Sequence, residues 1–181
     1  MHARLAELLD YAAAQRRVLL NAVDTVPVAR RRRRPAPDAW SVAEVLEHLH
    51  RTETGVALLV TARLAEARQT GLPAERETAS LLGALDRFRI AERGRLVMAP
   101  AVVHPTGTIG WAAAIERLAA SREALLHALA PADGLALGGV VHPHPFLGPL
   151  SVYQWVLFVA QHEARHAIQI RGAAGDPEVS R

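Results

Sequence analysis

Four segments of the sequence carry apolar side chains at helical spacing, and this pattern restricts the fold more than any other feature of the chain. They cover residues 3–24, 41–69, 109–130 and 151–171. Aromatic residues make up only 4% of the chain and runs of β-branched residues are short, so strands are disfavoured. The sequence therefore predicts an all-α fold of four long helices, forming a single domain over residues 1–181.

Two of the predicted helices begin with a capping box, in which a serine and a residue three positions later bind each other's backbone amides. Ser41 and Glu44 form the first box, and Ser151 and Gln154 form the second. These boxes predict sharp starts for helices 2 and 4.

The links between the helices predict their arrangement. Short links between helices 1 and 2 and between helices 3 and 4 predict two antiparallel pairs. The link at residues 74–107 is long enough to cross the bundle between helices 2 and 3, and residues 81–90 within it are compatible with a short helix. Since Gly172 and Gly175 are expected to end helix 4, residues 172–181 are predicted to be a flexible tail.

The composition limits the chemistry. There is no cysteine, which excludes disulfides, thiolate metal sites and a cysteine nucleophile, so a metal must be held by His, Asp or Glu. No apolar stretch reaches the roughly 18 uncharged residues that a membrane helix needs. The N-terminus resembles the first turns of a helix rather than a signal peptide. We therefore expect a cytoplasmic protein without a membrane segment.

Five consecutive arginines, Arg30 to Arg34, carry more positive charge than the net charge of +3 of the whole chain. The rest of the chain is therefore slightly acidic. We expect them to form a solvated loop. The alternative is an anionic partner, either a nucleic acid or an acidic group of a substrate. A nucleic-acid partner is disfavoured, because no aromatic residues alternate with the arginines and the positive charge is not spread over a face.

His162 and His166 are separated by four residues on the fourth predicted helix. At this spacing the two side chains project roughly 40° apart, one turn above the other, so both imidazoles can bind one metal ion. Histidines that face a core are costly without partners, and a bound cation is one such partner. The alternative is a pair of half-buried histidines with ordinary hydrogen bonds.

Two further histidines, His48 and His50, lie on the second predicted helix. They point about 160° apart, so at most one can join a common site, and periodicity alone does not choose between them. Glu53 falls near the centre of the apolar stripe of the same helix. A carboxylate there requires a partner, which could be an arginine, a metal-bound water or the second nitrogen of a ligand histidine.

The string from His162 to His166 also matches HExxH, a metalloprotease signature. Arg165 is atypical between the Glu and the second His of that motif. Gln169 and Gly172 stand in place of the downstream glycine and histidine of its extended form. A protease is therefore disfavoured, and a third ligand must come from upstream.

The segment from Trp40 to Leu49, followed by Glu53, resembles the second-helix motif of DinB-like proteins. The pattern over residues 144–151 and the run 162–170 resemble the fourth-helix region of that family. The resemblance covers nearly the whole chain in order and spacing, with residues 74–107 the weakest part. It implies a four-helix bundle with a long crossover between helices 2 and 3, and a three-histidine metal site.

Carried over residue by residue, the resemblance implies that His48, His162 and His166 bind one zinc or nickel ion, with His50 at the rim. Imidazole suits both metals, so the ligands do not choose between them. Glu53 and Glu163 are expected to act beside the ligands or as a base.

Some members of the wider family are thiol transferases or isomerases that use low-molecular-weight thiols, and dimers are frequent among them. The resemblance thus implies a metal-dependent transferase or hydrolase that acts on a small electrophile. A low-molecular-weight thiol is a candidate second substrate, and a homodimer is a candidate assembly. The alternative is a non-catalytic metal-binding or interaction bundle.

His142 and His144 lie between prolines just before helix 4. We expect them to be loop residues. Their alternative role is a pH-sensitive lid over the metal site, because histidine changes its charge near neutral pH.

Overall fold

The computed structural model describes residues 1–92 and 99–174. It contains four long helices, α1 (Ala3–Asp24), α2 (Val42–Thr70), α3 (Trp111–Leu129) and α4 (Val152–Ala174). The predicted all-α, four-helix fold is confirmed. Two short antiparallel strands, β1 (Val141–His144) and β2 (Gly148–Ser151), form a hairpin before α4 where a loop was expected. Short 3-10 turns occupy Val28–Arg30, Asp86–Phe88, Ala101–Val103, Ala130–Ala132 and Leu137–Gly139.

Both predicted capping boxes are present. Before α2, the Ser41 hydroxyl accepts the Glu44 amide at 3.3 Å, and the Glu44 carboxylate accepts the Ser41 amide at 2.8 Å. Before α4, the Ser151 hydroxyl accepts the Gln154 amide at 3.3 Å, and Gln154 Oε1 accepts the Ser151 amide at 2.9 Å. Each box satisfies amides that the first helical turn leaves unpaired. The starts of the two helices that carry the candidate ligands are therefore defined by local sequence.

The packing of the helices differs from the expected pairs. The most extensive contacts join α2 to α3 and α1 to α4, and α2 meets α4 over a smaller area. The expected pairing of helix 1 with helix 2 and of helix 3 with helix 4 is therefore wrong. The links at residues 25–41 and 130–151 are long enough to place successive helices away from each other.

Two clusters of buried apolar side chains fill the bundle, and each receives residues from all four helices. One cluster includes Leu5, Val60, Leu125 and Val156, and the other includes Leu19, Leu46, Leu118 and Ile170. Between these positions along the four helices lie charged and polar residues, which we call the polar layer: Arg16, Glu53, Ser121, Arg122 and Glu163. The interior of the bundle is thus divided along its length into apolar, polar and apolar sections.

The link between α2 and α3 is mostly irregular. The short helix considered for residues 81–90 is absent except for one 3-10 turn, which ends where Arg89 adopts a left-handed backbone conformation. Residues 93–98, which include part of the predicted crossover, lie outside the described residues. Residues 99–110 return along α2 to the start of α3.

The fourth helix continues past Gly172 to Ala174, so Gly172 does not end it. The remainder of the predicted tail, residues 175–181, lies outside the described residues. Among the helices described, none has a stretch both long and apolar enough to cross a membrane.

Candidate metal centre

Three histidines converge where α2 faces α4. His48 projects from the second turn of α2, and His162 and His166 project from successive turns of α4. The Nε2 atom of His162 lies 3.2 Å from Nε2 of His48 and 3.0 Å from Nε2 of His166. One ring nitrogen from each residue lies within 4.8 Å of the other two. The chain therefore places three nitrogen donors around one point.

The outer ring nitrogens of two of these histidines are held by hydrogen bonds. His48 Nδ1 lies 2.9 Å from the Val103 carbonyl oxygen, and His166 Nδ1 lies 2.7 Å from Gln169 Oε1. Both partners are acceptors, so each ring donates from Nδ1 and its Nε2 carries a lone pair. These two lone pairs face Nε2 of His162, which can offer only one proton. A cation at the centre would satisfy all three nitrogens.

Burial keeps these three histidines neutral. Loss of solvation lowers the pKa of His48 and His162 and lowers that of His166 to about 3, and neighbouring histidine rings further disfavour protonation of His162 and His166. Neutral imidazole is the metal-binding form. In a tetrahedral zinc site the ligand nitrogens lie about 3.4 Å apart, close to the two separations of 3.2 and 3.0 Å seen here. The residues present thus fit a divalent ion.

Aromatic side chains form the walls around the three rings. Phe158 is nearly parallel to His162, with centroids 5.3 Å apart and planes inclined by 14°. Trp40 packs against His48 with centroids 4.9 Å apart. His144 of β1 packs edge-on against Phe158 at 4.6 Å, and burial lowers its pKa to about 4. His144 therefore contacts Phe158, which in turn packs against His162. It lies on a hairpin and not on the expected loop.

The second residue considered for the lid role, His142, lies two residues before His144 on the same strand. Its carbonyl accepts a hydrogen bond from Trp155 Nε1 at 3.3 Å, and its ring packs against that tryptophan with centroids 6.3 Å apart. The hairpin is therefore attached to the first turn of α4. The lid role of His142 and His144 stays a hypothesis.

The two carboxylates predicted beside the site belong to the polar layer. Glu53 Oε1 accepts Arg122 Nε at 2.5 Å, and its Oε2 accepts Arg16 Nη2 at 2.7 Å and the Ser121 hydroxyl at 2.8 Å. Glu163 Oε1 accepts Arg16 at 2.6 Å and Arg122 at 3.1 Å, and its Oε2 has no hydrogen-bond partner among the described residues. Burial raises the pKa of Glu163 although the two arginines oppose this shift. Of the partners considered for Glu53, the structure shows arginines.

His50, expected at the rim, is only partly buried, and its Nδ1 lies 3.3 Å from the Thr54 hydroxyl one turn along α2. Arg165 of α4 donates to the Glu92 carbonyl. These residues flank the histidine cluster on α2 and α4.

The arginine run is not uniformly solvated. Arg30, Arg32 and Arg33 are exposed, as expected for a loop. Arg31 is buried, lies 4.4 Å above the Trp111 ring and donates to the Val26 carbonyl at 2.9 Å. Arg34 binds the Glu44 carboxylate at 2.5 Å. The expectation of a solvated loop is therefore wrong for Arg31, because the Trp111 ring offers its guanidinium a flat face.

Comparison with known proteins agrees with the four-helix fold. The family model described as the DinB superfamily matches residues 11–170, a range that contains all three histidines. The uncharacterized protein YuaE of Bacillus subtilis (strain 168) is 29% identical over 139 residues, which cover 76% of this chain and 79% of that protein. No solved structure gives a significant match.

Proposed function

The chain belongs to the DinB superfamily, and from this membership and the site geometry we propose that His48, His162 and His166 bind one zinc or nickel ion for catalysis. The observation that carries the proposal is the convergence of their Nε2 atoms, two of which are lone-pair acceptors because their Nδ1 atoms donate elsewhere. A buried group of acceptors that lacks donors is unfavourable without a cation. The proposed reaction is of the thiol transferase or hydrolase type, on a small electrophile.

Three neutral histidines leave coordination positions open, as a catalytic ion requires. When bound, such an ion polarises a carbonyl or makes a water or thiol more acidic. The chain's own residues would bind the ion and orient the ligand histidines. The Val103 carbonyl and Gln169 hold protons on the outer nitrogens of His48 and His166, and Phe158 excludes water from one face of His162. His162 is only partly buried, so it is the ligand of the three that keeps contact with solvent.

Glu163 is the better of the two proposed acid–base residues. It lies on α4 between His162 and His166, its pKa is raised by burial, and one of its oxygens is unpartnered among the described residues. Both oxygens of Glu53 already accept hydrogen bonds. We propose that Glu53 supports the site through the polar layer.

One observation favours the second candidate, a non-catalytic metal-binding bundle. Arg16 and Arg122 bind both Glu53 and Glu163, and the two guanidinium groups oppose the uptake of a proton by Glu163. In such a protein the ion would stabilise the junction of α2 and α4 without chemistry.

The first test is elemental analysis of the purified protein after incubation with zinc or nickel, beside His48→Ala, His166→Ala and His50→Ala. We expect about one ion per chain in the parent. The ion should be lost in the first two variants and retained in His50→Ala, which changes a histidine at the rim of the same helix. A parent chain without metal would refute the proposed site.

Catalysis is tested with small thiols and a panel of small electrophiles, before and after chelation. Activity that disappears on chelation and in His162→Ala supports the enzyme. Activity that survives both treatments refutes metal-dependent catalysis. A metal that raises the melting temperature but supports neither activity nor thiol binding indicates the non-catalytic bundle.

A further inference from the structure

Glu47, the residue immediately before His48, is completely buried, with 0% of its surface exposed. Its Oε1 accepts the amide and the hydroxyl of Thr106, both at 2.8 Å, and its Oε2 accepts the Gly107 amide at 3.2 Å. A buried carboxylate is costly unless hydrogen bonds replace its hydration. Three donors from one short stretch meet this need, so Glu47 anchors the segment that returns along α2.

The same segment supplies the carbonyl that binds His48. Val103 lies three residues before Thr106, and Pro105 between them restricts the backbone. Arg51, one turn after Glu47, donates to the Val102 carbonyl at 2.9 Å. Residues on both sides of the Val103 carbonyl are thus attached to α2, with Glu47 providing the attachment nearest the start of the helix.

We propose that Glu47 is a positioning residue for the metal centre. By binding Thr106 and Gly107 it holds the Val103 carbonyl against Nδ1 of His48, and so keeps His48 in the tautomer that leaves Nε2 free to bind a metal. The hydrogen bond of one ring nitrogen sets which nitrogen carries the proton, and such partners of ligand histidines affect metal affinity. The consequence for affinity rests on the proposed function, whereas the tautomer of His48 is a property of the metal-free chain.

Glu44 provides a matched control one turn earlier on α2. It is also buried. It also lies close to the segment 99–110, because a Cβ built on Gly107 would lie 3.3 Å from Glu44 Oε1. Its carboxylate instead binds Arg34 and the Ser41 amide. Glu44→Gln therefore removes the same charge from the same end of the helix while the hydrogen bonds of Glu47 remain.

The first readout is the tautomer of His48 in the metal-free protein, measured near neutral pH by two-dimensional NMR with labelled histidine. The parent and Glu44→Gln should carry the proton on Nδ1. In Glu47→Gln, whose side-chain NH₂ would oppose the Gly107 amide, we expect a shift toward the Nε2-protonated form. An unchanged tautomer in Glu47→Gln overturns the proposal.

Thr106→Val keeps the carboxylate and removes the hydroxyl, which donates to Glu47 and also lies 2.7 Å from the Thr108 hydroxyl, so it tests the same contact if Glu47→Gln does not fold. We expect a smaller shift of the tautomer in Thr106→Val and the parent's behaviour in Thr106→Ser, which restores a hydroxyl. Identical tautomers in the valine and serine variants would contradict a role for this contact.

The second readout is zinc affinity, measured by competition with a chromophoric chelator. We expect Glu47→Gln to bind zinc about 10- to 100-fold more weakly than the parent, with little change in Glu44→Gln. Equal losses in the two variants overturn the proposal, because they would reflect a general disturbance of the start of α2. A parent that binds no zinc, together with a tautomer shift in Glu47→Gln, overturns the metal site and supports the placement of His48 by Glu47.

Discussion

Replacing Arg122 with methionine is expected to destabilise the metal-free fold by about 3–5 kcal/mol, the usual loss when one partner of a buried ion pair is removed. Arg122 is 13% exposed and binds two carboxylate groups that are 2% exposed, Glu53 at 2.5 Å and Glu163 at 3.1 Å. In the parent these two carboxylates are balanced by Arg16 and Arg122. In the variant they would share Arg16, and Glu53 Oε1 would lose its partner, which alone costs about 1–3 kcal/mol.

Arg63→Met is the matched control, because Arg63 forms an exposed pair with Glu66 at 2.5 Å, with side chains 34% and 60% exposed. Such a pair contributes about 0–1 kcal/mol. The difference between the two variants should persist at high salt, since salt screens exposed pairs far more than buried ones. Lysine at position 122 should give an intermediate loss, because an ammonium group cannot bind both carboxylates as the guanidinium does.

The assay is urea unfolding of the metal-free proteins, checked by thermal melting. For a chain of this size about 1 kcal/mol corresponds to about 2–4 °C, so Arg122→Met should melt about 6–20 °C below the parent. Adding Glu163→Gln restores a neutral polar layer and should recover part of the loss. The charge argument is refuted if Arg122→Met costs no more than Arg63→Met, or if the double variant is less stable than Arg122→Met alone.

Two further predictions concern stability. Burial lowers the pKa of five histidines in the folded chain, namely His48, His50, His144, His162 and His166. The unfolded chain takes up protons near pH 6.5, about where free histidine titrates, while the folded metal-free chain resists them, so stability should fall as the pH drops from about 6.5 to about 4. Urea unfolding over this range would show the fall, and a flat profile would contradict the lowered pKa values. Ser41→Ala removes the N-cap acceptor of α2 and should cost about 1 kcal/mol in the same assay, whereas no loss would mean that the box adds nothing.

The helices could be predicted from the sequence because their signals are local. Apolar periodicity located all four, and the capping boxes placed the starts of α2 and α4 within one residue of those in the structure. The pairing of helices could not be predicted, since long links permit several arrangements and the choice depends on how whole faces pack. The hairpin was missed because Pro143, Pro145 and Pro149 are unusual in and beside strands, where proline is tolerated mainly at edges.

Part of the candidate site could be predicted from the sequence. The four-residue spacing brought His162 and His166 together, but periodicity did not choose between His48 and His50, and only the resemblance favoured His48. Arg16 and Arg122 had a signal that was overlooked, since each interrupts an apolar stripe of its helix. The Val103 carbonyl had none, because a backbone atom has no residue type to mark it.

The packing of α1 on α4 has a consequence for the order of assembly during synthesis. The first of the four helices to leave the ribosome has the last as its main partner, so a contact between elements far apart in the chain must close before the core is complete. The inner pair, α2 and α3, are consecutive helices and can pack together before α4 has been made. Nascent chains therefore expose the apolar side of α1, including Leu5, Leu8 and Leu19, until α4 has been made. Chaperones that cover apolar segments would act on this protein mainly in that interval.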